Sequence, residues 1–330
     1  MESNESWWSP YINNADAISE LNDLIASAAR RRGDIPGIRE LKTSIDSLSN
    51  LTFDDALPHF RKFANCTAVS EFIDQESNLC RRNCVYQPPG RSSANEITQG
   101  IEICSSERYS VLAMVADPTA IVSMAKKRQI IGNDVNTVAT TPTDTFMHFM
   151  RGGGARATIY TCDSIGHNQH VDADMVCRED RTFDINDGDE LILRAGKDSI
   201  VLDYAKSLVS FIEAHIEPPQ VAAAPIFDAQ TLKLVGVMSS TLRSSRIQMM
   251  VTALSKLSPS KKSFDTCSPL LSHDDYFVRW YVMRELVAMD TKGSSPLLQH
   301  LADEDVHPDV RMAAASTLEI IKKQHQIAAP

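Results

Sequence analysis

No window of this 330-residue chain approaches the ~18 consecutive apolar residues of a membrane helix, which argues against a helical span. Clustered basic charge is equally scarce. Arg30-Arg31-Arg32 is a tight basic run and reads as a solvated helix end, while the net charge is -10 and the pI is near 5.4. Phosphate contacts need grouped Lys and Arg, so nucleic acid is not an expected partner. The first residues, Met1 to Trp8, are acidic and lack the apolar core of a secretory signal. The seven cysteines are odd in number and scattered, which suits reduced thiols in a cytoplasm. Cys80 and Cys84 lack a second pair at zinc-ribbon spacing. The sequence has no Gly-x-Ser-x-Gly elbow, no P-loop and no Gly-x-Gly-x-x-Gly after a strand.

What is present falls into three textures. Residues 15–32, 37–49, a stretch beginning after Thr52, and 66–83 carry apolar residues at helical spacing. Asp54-Asp55 favours a helix start. Trp7 and Trp8 could anchor the leading arm or form a partner-binding tip. Gln87-Pro-Pro-Gly-Arg-Ser-Ser93 is loop chemistry and marks a boundary. Short strands are then expected at Tyr109–Val115, Ala120–Met124, Asn136–Thr140, Thr145–Met150, Ala157–Thr161, Thr182-Phe183, Glu190–Leu193, Ser199–Leu202 and Leu208–Ile212. Pro218-Pro219 closes the last of them. Strands of this length and spacing indicate an antiparallel sandwich or barrel. Arg151-Gly-Gly-Gly-Ala155 reads as a flexible hairpin turn rather than an anion cradle. Residues 225–239 look like a partly extended transition, and helix is expected from 241 onward.

The last segment repeats. Arg246, Arg279 and Arg311 each open an apolar helical stretch, with Met250, Met283 or Ala315 four residues later and Ala253, Leu286 or Leu318 three beyond that. A period of this size marks helical units that bury their faces against neighbours. Phe277-Val-Arg279 and Pro308-Asp-Val-Arg311 resemble the second-helix signature of HEAT repeats. The resemblance covers roughly residues 241–324. It implies a short α-solenoid of a kind that usually binds proteins, or else caps the β domain. Some HEAT-like enzymes bind iron through His-Glu pairs, and no His-Glu dipeptide occurs here.

The stretch Asp184–Leu202 resembles the second conserved half of the cupin fold. Gly188-Asp189 supplies the turn, Glu190–Leu193 the strand, and Arg194-Ala-Gly196 the second turn. Arginine stands where that family has proline, and Ser199 where it has a metal-binding histidine. The family's His-x-His pair and glutamate would be expected near 123–130, where Ser123-Met-Ala-Lys-Lys-Arg-Gln129 stands instead. Lysine and arginine cannot replace neutral imidazoles as ligands. The resemblance spans at most residues 95–215 and implies a jelly-roll-like barrel without the usual metal site.

The expected fold class is therefore α+β, with a helical unit at 1–90, a cupin-like β domain at 91–224 and HEAT-like repeats at 225–330. The expected function is a non-catalytic accessory or regulatory binding protein, with a protein or peptide partner, a small-molecule ligand in the β domain, and no cofactor. Arg246, Trp280, Tyr281 and Arg284 are the candidate partner-binding residues. The alternative is an oxygenase-type enzyme whose iron or zinc is held by His148, His167 and His170, with Cys162, Asp163, Asp172, Asp174 or Cys177 nearby. Against it, His167–His170 sits in a polar, turn-rich stretch that reads as an exposed connection. His148 lies in an apolar strand, where a lone histidine usually serves the core or a pocket.

Overall fold

The structure, a computed structural model, describes residues 14–128, 137–164, 172–217, 221 and 223–327. Trp7, Trp8, Gln129, His167, His170 and Pro218-Pro219 lie outside the described residues.

Four helices open the chain: α1 (Ala15–Asp34), α2 (Pro36–Asp46), α3 (Phe53–Ala64) and α4 (Ala68–Arg82). Their ends follow local chemistry. Asn14 caps α1, Pro36 occupies the first turn of α2, and the Thr52 hydroxyl accepts from the Asp55 amide at the start of α3. Ile38, Leu41, Ile45, Phe60, Phe63 and Phe72 form one buried face. That face packs on Ile103, Tyr109, Val111, Phe146 and Ile212 of the sheet beneath. Arg32 is buried at this junction, donating to the Glu102 and Pro89 carbonyls and lying 3.6 Å from Glu76.

Strands follow: β1 (Ser92–Ala94), β2 (Thr98–Ser105), β3 (Tyr109–Ala116), β4 (Thr137–Ala139), β5 (Thr145–Arg151), β6 (Arg156–Thr161), β7 (Arg178–Asp184), β8 (Glu190–Leu193), β9 (Asp198–Tyr204) and β10 (Val209–Ile216). One sheet has the order β1-β2-β3-β10-β5-β8 and another β7-β6-β9. The chain continues β4 beside β9, where the Thr141 amide donates to the Asp198 carbonyl at 2.9 Å. Numbered from β3, one layer takes the first, eighth, third and sixth strands, and the other the second, seventh, fourth and fifth. This is the double Greek key of a jelly roll. The two layers are separate sheets, so the domain is a sandwich rather than a closed barrel.

Three expectations for this region need correction. Ala120–Met124 is not a strand but part of helix α5 (Pro118–Arg128). Asp117 accepts from the Thr119 and Ala120 amides, and Pro118 supplies the first helical position, so Asp-Pro starts a helix rather than ending a strand. The triple glycine is a tight turn, closed by the Ala155 amide on the Gly152 carbonyl, but it joins strands of different sheets and makes no hairpin. Residues 225–239 hold a hairpin, β11 (Ala223–Asp228) and β12 (Leu234–Ser239), and β11 pairs with β4.

Helices α6 (Leu242–Leu257), α7 (Lys261–Cys267), α8 (Tyr276–Met289), α9 (Thr291–Glu304) and α10 (Pro308–Ile327) follow. Helices α8 and α10 repeat at 32 residues: Val278, Val282 and Leu286 are buried, as are Val310, Ala314 and Leu318. In α6 the core positions are Ile247 and Val251, two residues beyond those that alignment on Arg246 predicts. Arg246 is consequently exposed, Met250 is 64% exposed, and Ala253 and Ala315 face outward, contrary to the arginine-based alignment. Arg279 is buried and bidentate on Asp305, at 2.8 and 2.7 Å. Its remaining nitrogen donates to the His273 and Asp274 carbonyls.

Candidate ligand cavity and helical groove

Strand β10 alternates two faces. Ile212, Ala214 and Ile216 pack under the N-terminal helices. Phe211, Glu213 and His215 point the other way, between the sheets. Glu213 sits opposite Met147 and Leu112, both in the inter-sheet core, and His215 opposite Thr145. Two adjoining chambers open there. The inner one, about 260 Å³, is walled by Ile97, Met147, Leu193 and Phe211, with Ala139, Thr141, Thr145 and Ser199. The outer one, about 650 Å³, lies between the sandwich and α6. Arg91, Glu107, Thr143, His215, Glu217, Ser240, Arg243 and Arg246 line it. Thr141 and Glu213 border both chambers.

Of the turns that the cupin resemblance identified, Arg194-Ala-Gly196 joins Leu193 of β8 to β9, and Leu193 and Ser199 line the inner chamber. Gly188 (φ +86°) and Gly196 (φ +64°) occupy left-handed conformations, and a Cβ at Gly196 would lie 2.9 Å from Val221. Ser199 follows on β9, 5% exposed. The positions across the chamber from it are Ala139, Thr141 and Thr145, not residues 123–128, which lie on α5. Thr141 and Thr145 share their hydroxyls at 3.2 Å. One methyl, three neutral hydroxyls and the single carboxylate of Glu213 fall short of the set of imidazole, thiolate or carboxylate donors that iron or zinc takes.

Glu213 keeps 31% of its side-chain area accessible, and that area faces the cavity. Its surroundings are nevertheless dense enough that desolvation pushes its pKa up, with His215 opposing. His215 stands 3.9 Å from Glu213 and 3.6 Å from Glu217, and its Nδ1 is buried without a hydrogen-bond partner. His215 holds Glu217 below the usual carboxylate range, against desolvation and with help from Arg91.

The predicted metal residues do not meet here. His148 alternates onto the opposite face of β5, beside Ile212, 4.0 Å from Glu190, which in turn accepts from Arg61 of α3 at 2.8 Å. It joins sheet to helix, turned away from the cavity. Cys162 and Cys177 are packed with Phe227, and burial pushes the Cys162 thiol up to about 12 and raises Cys177. Among the described residues no three His, Cys, Asp or Glu side chains converge as a metal site would require.

Three of the four predicted partner residues do converge. Trp280, Tyr281 and Arg284 of α8 line a groove of about 590 Å³ with Val237 and Met238 of β12, Gln248 of α6, and Asp309 and Ala313 of α10. The groove runs across α6, α8 and α10, with its floor set by Tyr276 and Val310. Arg246 lies apart, at the outer chamber. Glu213 and His215 lie beyond the strand that the sequence predicts, which ends at Ile212, whereas β10 runs to Ile216. The alternation Phe211-Ile-Glu213-Ala-His215 was the available signal.

Residues 243–319 match the family described as HEAT repeats. The comparison with curated proteins found no match. Among solved structures, a cupin domain from Bordetella pertussis is 12% identical and is covered over 99% of its length by 38% of this chain, with a TM-score of 0.22. A cupin domain from Schizosaccharomyces pombe is 10% identical, with 40% of this chain over 67% of that one and a TM-score of 0.22. An oxalate decarboxylase from Bacillus subtilis is 9% identical, with 50% of this chain over 34% of that one and a TM-score of 0.24. The jelly roll itself is established by the strand pairing. No helix among the described residues is long and apolar enough to cross a membrane.

Proposed function

We propose that this protein is a non-catalytic binding protein. Its solenoid face takes a protein or peptide partner, and its sandwich holds a small ligand. The observation that carries the reading is the groove. It collects a tryptophan, two tyrosines and an arginine, the residue types that dominate interface energetics, on one helical face. Repeat solenoids use such faces for recognition. The cavity supports the ligand half of the reading and, by its hydroxyl-lined wall, speaks against metal-dependent catalysis.

The test is affinity capture with the full chain, quantified for the wild type, Trp280→Ala, Arg284→Glu and Arg246→Ala. A partner that binds the purified wild type directly and loses at least about tenfold in affinity with Trp280→Ala, while tolerating Arg246→Ala, supports the groove. Partners indifferent to both groove variants would refute it.

A further inference from the structure

Glu213 and two arginines of α6 line these adjoining chambers, and among the described residues none of the three makes a side-chain hydrogen bond. Among the described residues Glu213 has no neighbour of opposite charge closer than His215, at 3.9 Å. Its carboxylate is desolvated, a cost that an incoming N–H donor of positive charge would offset. Arg243 and Arg246 stand three residues apart on α6, on one side of the helix, and line the outer chamber. Both are exposed, and neither makes an ion pair or side-chain hydrogen bond among the described residues. Arg91, by contrast, already faces Glu102 and Glu217. Beyond Glu213 the inner chamber has Met147, Leu193 and Phe211 on its walls, beside the hydroxyls of Thr141, Thr145 and Ser199.

We propose that this cavity binds a zwitterionic small molecule with an apolar side chain, of the α-amino acid type. Its ammonium group meets Glu213, its carboxylate meets Arg243 and Arg246, and its side chain enters the inner chamber. A purely anionic ligand would leave Glu213 unsatisfied and repelled. A purely cationic one would leave both arginines without a counter-charge. The buried, unpartnered Nδ1 of His215 and the hydroxyls of Thr141 and Thr143 offer further hydrogen bonds to the same head group. Because α6 opens the segment that carries the partner groove, occupancy of the chamber would also brace the first helix of the solenoid.

The proposal rests on the small-ligand half of the function proposed above and is independent of the partner groove. Titration calorimetry on the full chain would use L-leucine, L-methionine and L-phenylalanine, with isoamylamine and isocaproate as analogues of leucine lacking one charge. At least one amino acid is expected to bind saturably. For leucine, each single-charge analogue should bind about tenfold or more weakly, the scale of losing a charge-assisted hydrogen bond. Glu213→Gln should abolish the preference for leucine over isocaproate, and the Arg243→Ala, Arg246→Ala double variant the preference over isoamylamine. Absence of binding by all three amino acids to folded protein overturns the proposal, as does an affinity that neither variant changes. Binding of isocaproate or isoamylamine as tight as leucine overturns the zwitterion while leaving a small-ligand cavity standing. If all five probes fail but the partner still requires Trp280, only the ligand half falls.

Discussion

Replacing Arg279 with alanine should be the most damaging single change in the solenoid. The Arg279 and Asp305 side chains keep only 8% and 1% of their area accessible. The arginine makes two hydrogen bonds to the carboxylate and two to the carbonyls before α8. Arg279→Ala removes all four and leaves Asp305 with the His307 amide as its remaining hydrogen bond in this network. Breaking a buried pair from one side costs about 3–5 kcal/mol, chiefly because a charge stays buried without its partner. For a helical unit of this size each kcal/mol is worth about 4–8 °C, so its calorimetric midpoint should fall by more than about 10 °C. The double variant Arg279→Met, Asp305→Leu removes both charges and should recover most of that loss. A single variant that loses under about 1 kcal/mol would refute the reasoning, as would a double variant whose loss equals the sum of the two singles.

Other outcomes follow from the same geometry. Burial disfavours the ionised Asp305, but Arg279 and the His307 amide outweigh it, so its pKa is lowered on folding. Its contribution is present above the unfolded value near about 3.9 and is lost as pH falls through the folded value, so acid melts should show a solenoid transition below about pH 4 that Asp305→Asn removes. Glu213 has the opposite sign: desolvation raises its folded pKa, so the carboxylate destabilises the fold at neutral pH and not below the ordinary glutamate range. Glu213→Gln should raise the melting midpoint at pH 7, with the gain vanishing below about pH 4; a gain independent of pH would contradict this. Gly196→Ala meets both a left-handed φ of +64° and the Val221 side chain, and should cost at least about 1–2 kcal/mol in denaturant melts.

The legible and illegible parts of this molecule divide by range. The N-terminal helices were readable because Ile38, Leu41 and Ile45 repeat at helical spacing within one segment. Gly188 and Gly196 were readable as turns because their conformations are local. Ala120-Ile-Val-Ser-Met124 was misread because a short apolar run with β-branched residues fits either period, and only the cap at Asp117 decides. Most of β7 was missed because Arg178–Arg181 is an exposed, charged part of an edge strand without an apolar face. The cavity needed long-range pairing: Thr145 faces Ser199 only once β5 and β9 lie in opposed sheets, and His148 faces away by the same alternation. Arg246 and Arg279 look equivalent in sequence, yet one is exposed on α6 and the other is buried on Asp305.

The central claim is that the jelly-roll sandwich holds a cavity walled by the hydroxyls of Thr141, Thr145 and Ser199 and built for a small organic ligand rather than a metal ion. Elemental mass spectrometry of the purified full chain tests it most directly. The account predicts iron, zinc and manganese all far below one equivalent, unchanged in a His167→Ala, His170→Ala variant. A stoichiometric metal lost in that variant would contradict it.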